Sequence, residues 1–530
     1  VTRTARTRTA APAPLPDGFS VKLDSWTRQL TPELWFGGSP VRVARLTPAG
    51  QAAWRELRAV GVTSRATGAL ARYFTDTGLA HPVPPPRSSA PAVTVIVPVR
   101  DRADLLSRCL TALGNDYPVV VVDDASANRA AVAEAVARHG ARLIRRETNG
   151  GPGAARNTGL AAVTGDLVAF VDSDCQPPPD WIRRLSGHFA DPLVAVAAPR
   201  ITGQAAGPAA STAASTAAGR YTEASGALDL GGRPGRVMPG AAVSYVPTAA
   251  ILARREALLA VARDGPLFEE SMRIGEDVDL IWRLHEAGWR IRYDPSVEVR
   301  HHEPATWAGL LARRYRYGTS AAPLARRHPG AVVHLVLQPW PALTVTALLA
   351  RRPAVAAVAF GGALATTGNR LRRAQVPRAG LTQATLTATR QTWLGLGRYG
   401  TQFAAPLLVA GIALPGRAGA GWPRRWGRRA ALGSLLLGPP LTAWAEGART
   451  LGPARFTLGR IADDVAYGLG VWSGCLVGRT LAPLRPIIAW RPLRLDPVPP
   501  ARMPAARTPA KPAPAAGPSL AATPGKEPST

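Results

Sequence analysis

A chain of 530 residues with three cysteines and a formal net charge of +29 is too long for a small stapled scaffold. Cys109, Cys175 and Cys475 lie far apart and in no C-x-x-C spacing, so neither a disulfide framework nor a zinc ribbon is indicated, in keeping with a reducing compartment. The positive charge suits an anionic partner, but it is mostly arginine spread along an Ala-, Gly- and Pro-rich chain, so no nucleic-acid partner is expected and a cytoplasmic membrane face is the better one.

Residues 1–19 read as a disordered start, and Val1–Pro16 lacks the apolar run of an export signal, so the folded part is expected inside the cell. Residues 20–80 form a small module, at minimum a strand over Val41–Leu46 followed by a helix over Thr47–Val60. The prolines of residues 81–91 disfavour helix and interior strand and mark a linker. From 92 to 325 short Val/Ile runs alternate with Ala-rich helical segments, beginning with Val93–Val97, a helix near Ala103–Leu113 and Val119–Val122. Such runs, apolar on both faces, predict an α/β domain with a parallel sheet covered by helices, whose ligands bind at the carboxyl ends of the strands. Residues 326–490 carry recurrent apolar segments, among them Ala331–Ala350 and Phe403–Leu414, flanked by arginine pairs such as Arg351-Arg352 and Arg428-Arg429. A helical, membrane-associated region is expected there, its helices interfacial, re-entrant or spanning, with a soluble Ala-rich helical domain as the alternative. Residues 491–530 read as a disordered tail.

The polar residues of interest fall at strand ends. The first strand runs into Pro98, Arg100 and Asp101, and the next into Asp123 and Asp124. A carboxylate there can accept hydrogen bonds from ribose hydroxyls or a uracil imide, although an aspartate after a strand also serves as a cap or turn residue. In Asn149–Gly159 a glycine-rich turn opens a helix bearing Arg156 and Asn157, where a diphosphate could lie; the Walker and dinucleotide spacings are absent. Phe170-Val171-Asp172-Ser173-Asp174 places two carboxylates just past a hydrophobic strand, suited to a hard divalent cation, Mg2+ or Mn2+, bridging the diphosphate of a nucleotide sugar. Glu276, Asp277 and Asp279 crowd a helix start beyond what capping needs, and Asp277, with Glu276 beside it, is the preferred general base. His301, at what reads as a strand end, could complete the metal shell; two solvent-facing histidines, His301 and His302, are the simpler alternative.

In order and spacing, Val97-Pro98, Asp123-Asp124-Ala125-Ser126, Asn149–Gly159, Phe170–Asp174 and Gly275-Glu276-Asp277 resemble the family-2 glycosyltransferases. That resemblance implies a Rossmann-like nucleotide-binding domain of the A type, an inverting single displacement, and a uridine diphosphate sugar with Mn2+ or Mg2+. It assigns Asp124 to the nucleoside, Asp172 and Asp174 to the diphosphate and metal, and Asp277 to the base. Phe36-Gly37-Gly38-Ser39-Pro40, Leu46–Gly50 and Arg314–Ser320 further resemble the mycofactocin-system glycosyltransferases. This narrower likeness implies UDP-glucose, a small peptide-derived redox cofactor of actinobacteria as acceptor, and a winged-helix-like module over residues 20–80. The Gln-x-x-Arg-Trp motif of processive synthases is absent, with Arg313-Arg314-Tyr315-Arg316-Tyr317 in its place, which argues against a long-chain polymer product. A transferase for a lipid-linked or cell-wall acceptor, and a non-catalytic nucleotide-sugar binding module, are the rival readings.

Overall fold

A computed structural model describes residues 12–86, 92–204, 216–262, 265–373, 378, 380–414, 422–447, 451–490 and 494–497. The first part of the expected disordered start, the end of the linker and nearly all of the expected tail lie outside these residues.

The N-terminal module is richer than one strand and one helix. Strands β1 (Ser20–Leu23), β2 (Arg28–Gln29), β3 (Leu34–Gly37) and β4 (Arg42–Arg45) precede helices α1 (Pro48–Val60) and α2 (Arg65–Thr77), and β5 (Ala80–Val83) returns to pair with β1. Each helix start is satisfied locally. Thr47 accepts from the Gly50 amide ahead of Pro48, and Ser64 and Thr67 form a capping box. Trp35, Trp54 and Phe74 meet at 4.8–5.4 Å between ring centroids and fill the module's core.

The central sheet follows from the Val/Ile runs. β6 (Val93–Val99), β7 (Val119–Asp124), β8 (Arg142–Arg146) and β9 (Leu167–Val171) are parallel, joined through α3 (Ala103–Leu113), α4 (Arg129–Arg138) and α5 (Pro152–Ala161). The sheet then departs from the expected all-parallel form. β10 (Cys175–Gln176), α6 (Trp181–Ser186), β11 (Val194–Gln204), α7 (Ala217–Ala224), β12 (Gly235–Arg236), β13 (Ala250–Arg254), α8 (Arg255–Ala262), α9 (Glu276–Glu286) and β14 (Arg290–His302) follow. β13 runs antiparallel to both β9 and β11, and β10 antiparallel to β14. Among the described residues the order is β10-β14-β11-β13-β9-β6-β7-β8, with β12 on the flank of β14. Both faces are buried, one cluster centred on Phe170, Phe268 and Leu280 and the other on Val97, Leu106 and Trp181.

The C-terminal region is helical: α10 (Trp307–Thr319), α11 (Ala321–Arg327), α12 (Pro339–Leu349), α13 (Pro353–Arg373), α14 (Leu381–Ala413), α15 (Trp422–Glu446) and α16 (Pro453–Val477), with short strands β15 (Val336–Leu337) and β16 (Ile487–Ile488) pairing beside them. The expected domain limit at residue 325 falls inside α11. No helix among the described residues is long and apolar enough to cross a membrane. Pro406 interrupts α14, and α16 buries Asp463 and Asp464 against Arg314, Arg398 and Arg460. Residues 494–497, within the expected disordered tail, form β17 (Arg494–Pro497), parallel to β4.

Candidate active site

A cavity of about 650 Å3 lies where β9 and β14 end and β13 begins, roofed by the start of α9, by α10 and by Tyr467 of α16. Its acidic floor follows from strand register. The buried run of β9 ends at Asp172, whose amide donates to the Ala249 carbonyl at 2.9 Å. The chain then turns so that Cys175 pairs opposite His301, and the His302 amide donates to the Asp174 carbonyl at 2.9 Å. This register brings Asp174 Oδ1 to 3.5 Å from His301 Nε2. Glu303 holds the other ring nitrogen: it is 3.1 Å from Nδ1 and is itself paired with Arg313 at 3.2 Å. Although Glu303 is buried, His301 and Arg313 keep its carboxyl below the usual range, so it accepts from Nδ1–H and Nε2 is left facing Asp174. Burial lowers the His301 pKa, but Asp174 and Glu303 more than offset it and hold the ring above its ordinary value.

Arg156 ties this floor to the acidic helix start. It is buried, over the Phe268 ring, and donates to Asp172 at 2.5 Å and Glu276 at 3.0 Å. Burial alone would favour its neutral form; the flanking carboxylates keep it charged. Glu276 and Asp277 open α9 after Gly275, which sits at φ 87° and where a Cβ would come within 2.8 Å of Ser320 Cβ. Burial and the Asp277 charge push Glu276 up to about 7 against the pull of Arg156. Asp277 is also raised, chiefly by burial. Its Oδ1 accepts from the Val278 amide at 2.7 Å, and among the described residues no side chain donates to its carboxylate. Asp277 is therefore the carboxylate free to take a proton, while Glu276 is committed to Arg156. Asp279 belongs to neither role. Fully buried, it meets Arg283 at 2.8 Å, Arg327 at 2.6 Å and His328 at 3.0 Å, which hold its carboxyl well below the usual range despite burial and brace α9 against α11.

The structure thus gathers Arg156, Asp172, Asp174, Glu276, Asp277 and His301 on one cavity, and Pro98, Arg100, Asp123, Asp124 and Asn157 are not in its wall. Asp124 accepts from the amides of Gly150 and Gly151, at 2.9 and 2.7 Å, and from Arg146 at 3.0 Å, which fixes the glycine-rich loop to the end of β7. Asp123 accepts from the Ser126 amide and from Arg145. Pro98 is buried in β6, and Arg100 is exposed beside Asp101. The Asn157 amide clamps the Phe268 backbone in both directions, at 2.9 and 2.8 Å.

A divalent cation fits the donor set at Asp174 and His301, an oxygen and an imidazole nitrogen on facing side chains, the latter oriented by Glu303. Among the described residues no group of three or more His, Cys, Asp or Glu stands ready to hold a metal, and Asp172 leans on Arg156 instead. Sequence reasoning passed over Glu303, although the two-residue strand period puts it on the same side as His301. It also missed Tyr245 and Tyr467, which line the cavity from distant elements and carry no local signal, and it quoted Tyr317 within a motif without assigning it to the site.

Residues 94–254 match the family model described as Glycosyl transferase family 2, and the chain is a glycosyltransferase. It is 36% identical over 492 residues to the pre-mycofactocin glycosyltransferase of Mycobacterium tuberculosis, a match covering 89% of this chain and 98% of that one. The succinoglycan biosynthesis protein ExoO of Rhizobium meliloti is 28% identical over 236 residues, covering 41% of this chain and 63% of its own. Among solved structures, the mannosyltransferase PcManGT of Pyrobaculum calidifontis, in complex with GDP-Man and Mn2+, aligns at 21% identity and a TM-score of 0.35, covering 67% of this chain and 89% of that one. The chain belongs to glycosyltransferase family 2 and, within it, to the family of the pre-mycofactocin glycosyltransferase.

Proposed function

We propose that this protein transfers glucose from UDP-glucose to a hydroxyl of a small peptide-derived redox cofactor or its precursor, by a single inverting displacement. The observation that carries the reading is the Asp277 carboxylate, to which no side chain donates among the described residues, in the same cavity as Asp172, Asp174 and His301. The near full-length likeness to a pre-mycofactocin glycosyltransferase supports the acceptor class.

Asp277 takes the proton of the acceptor hydroxyl as its oxygen bonds to the anomeric carbon. The bond from that carbon to the diphosphate breaks on the opposite face, the electron pair leaves with the diphosphate, and the configuration inverts. Raising the pKa of Asp277 by burial makes it a better base near neutral pH. Arg156 orients Asp172 and Glu276 relative to one another, and Arg102, 2.8 Å from Asp174, is placed to meet diphosphate charge. Asp174 and His301, with Asp172, are the residues that would hold Mn2+ or Mg2+. A bound cation supplies positive charge to the leaving diphosphate. On the nucleotide side, Asp124 and the loop it holds, with Pro98, Arg100, Asp123 and Asn157, serve the UDP moiety by shaping its seat.

A lipid-linked acceptor at the cytoplasmic membrane face is the second reading. It is favoured by exposed apolar side chains of the C-terminal helices, among them Leu407, Leu458, Leu476 and Val477, in an arginine-rich region. Release of nucleoside diphosphate from a panel of nucleotide sugars, with Mn2+ or a chelator and with either acceptor type, tests the proposal. Chelator-sensitive release from UDP-glucose that rises with the peptide-derived acceptor is expected. A rise only with lipid-linked acceptors transfers the assignment to the second reading, and binding without release from any donor leaves a binding module.

A further inference from the structure

The N-terminal module reaches the active-site wall. Segment 233–245 supplies Gly240, Ala241, Ser244 and Tyr245 to the cavity, and the module grips this segment at three points. At its start Arg233 donates to both oxygens of Asp24, at 3.0 and 3.2 Å, and lies 5.1 Å over the Trp26 ring. In β12, Arg236 donates to the Asp76 carbonyl at 2.7 Å; the Asp76 carboxylate, 3.7 Å from Arg236, also takes Arg290 of β14 at 2.6 Å. At the cavity end the Ala242 amide donates to Ser39 Oγ at 2.7 Å, one residue from the wall-forming Ala241.

The third grip explains a motif that the chemistry leaves unused, Phe36-Gly37-Gly38-Ser39-Pro40. Gly38 sits at φ 85°, and a Cβ there would lie 2.6 Å from the Thr77 carbonyl, the acceptor that the Ser39 amide reaches at 3.1 Å. The turn is therefore pressed onto the end of α2, which presents the Ser39 hydroxyl outward toward the 238–243 turn. The module itself is anchored elsewhere, by the buried Arg72–Asp191 pair at 2.6 Å. Loss of Ser39 or Arg233 would therefore loosen the wall and leave the module docked.

Resting on the glycosyltransferase reading above, we propose that the N-terminal module is a positioning element for acceptor recognition: through Ser39, Asp24 and Asp76 it sets the 233–245 wall without touching substrate. The donor side, built on Asp172, Asp174 and His301, receives none of these three contacts.

The test compares Ser39→Ala, Ser39→Thr and Arg233→Ala in the full chain. One hydrogen bond at a partly exposed site corresponds to a change of about three- to tenfold. Ser39→Ala and Arg233→Ala are expected to raise the acceptor KM by about that factor, with donor KM and acceptor-free diphosphate release unchanged and Ser39→Thr close to wild type. Hydrogen exchange supplies a readout that needs no activity: amides of residues 235–245 should exchange about three- to tenfold faster in Ser39→Ala, with β6 and β9 unchanged. Unchanged exchange over 235–245, or equal changes in donor and acceptor parameters, overturns the proposal. Absence of diphosphate release by the wild type defeats the transferase reading, and the exchange result then decides the positioning role by itself.

Discussion

The parallel half of the sheet and the half that carries the cavity use their carboxylates in opposite ways. At the ends of β6 and β7, Asp101, Asp123 and Asp124 are spent on the protein: they bind loop amides and arginines. At the ends of β9 and β14 and the start of α9, Asp174, His301 and Asp277 face a common space, and their partners orient them without saturating them. Similar residues after similar strands thus do structural work in one half and keep chemical capacity in the other. The difference comes from which loops close over them: the glycine-rich loop folds back onto β7, whereas beyond β9 the space is left open under α10 and α16.

Substitutions on the two sides should separate this contrast. The largest effect is expected at Asp277, where exchange for Asn removes the base and should lower kcat by about 10²–10⁴-fold in steady-state assays. Asp124→Asn is different in kind. It should act mainly on stability, by about 3–5 kcal/mol for an opened buried ion pair, and show as earlier thermal unfolding. Gly275→Ala, forced to keep a positive φ against Ser320, should cost about 1–3 kcal/mol in the same measurement and distort the start of α9.

The pH dependence refines the comparison further. Glu276, pushed up to about 7 by burial and by Asp277, favours its protonated form in the folded state. Its contribution to stability is present at pH values below the unfolded carboxyl range and is lost as pH rises through about 7. Wild type should therefore lose stability relative to Glu276→Gln between about pH 5 and about pH 8, as followed by thermal melts. The acid limb of kcat/KM should lie above the range of an ordinary aspartate, since Asp277 must be ionised to act and burial raises its pKa.

Much of the α/β domain is legible in the sequence, because β6, β7 and β9 are continuous apolar runs and a buried strand needs nothing else. The antiparallel insertion of β13 is not legible, since strand direction is set by contacts with β9 and β11, distant in sequence, and leaves no period behind. The candidate site divides in the same way. Asp172 and Asp174 announce themselves as paired carboxylates beyond a strand, whereas the commitment of Asp279 to Arg327 and His328, and of Asn157 to Phe268, rests on contacts between distant segments. The FGGSP turn is conspicuous as a motif, yet its contact with Ala242 spans 203 residues. Apolar content in residues 326–490 predicts membrane-associated helices, interfacial, re-entrant or spanning; among the described residues no helix is long and apolar enough to span, and prolines inside α14 and α15 and the buried aspartates of α16 punctuate the apolar runs.

The most direct test of the central claim is to measure UDP-glucose binding and glucosyl transfer side by side in wild type and Asp277→Asn. The account predicts a donor Kd within about threefold of wild type together with loss of transfer. Transfer at the wild-type rate in the variant would contradict it, because the base would then lie elsewhere in the cavity or outside it.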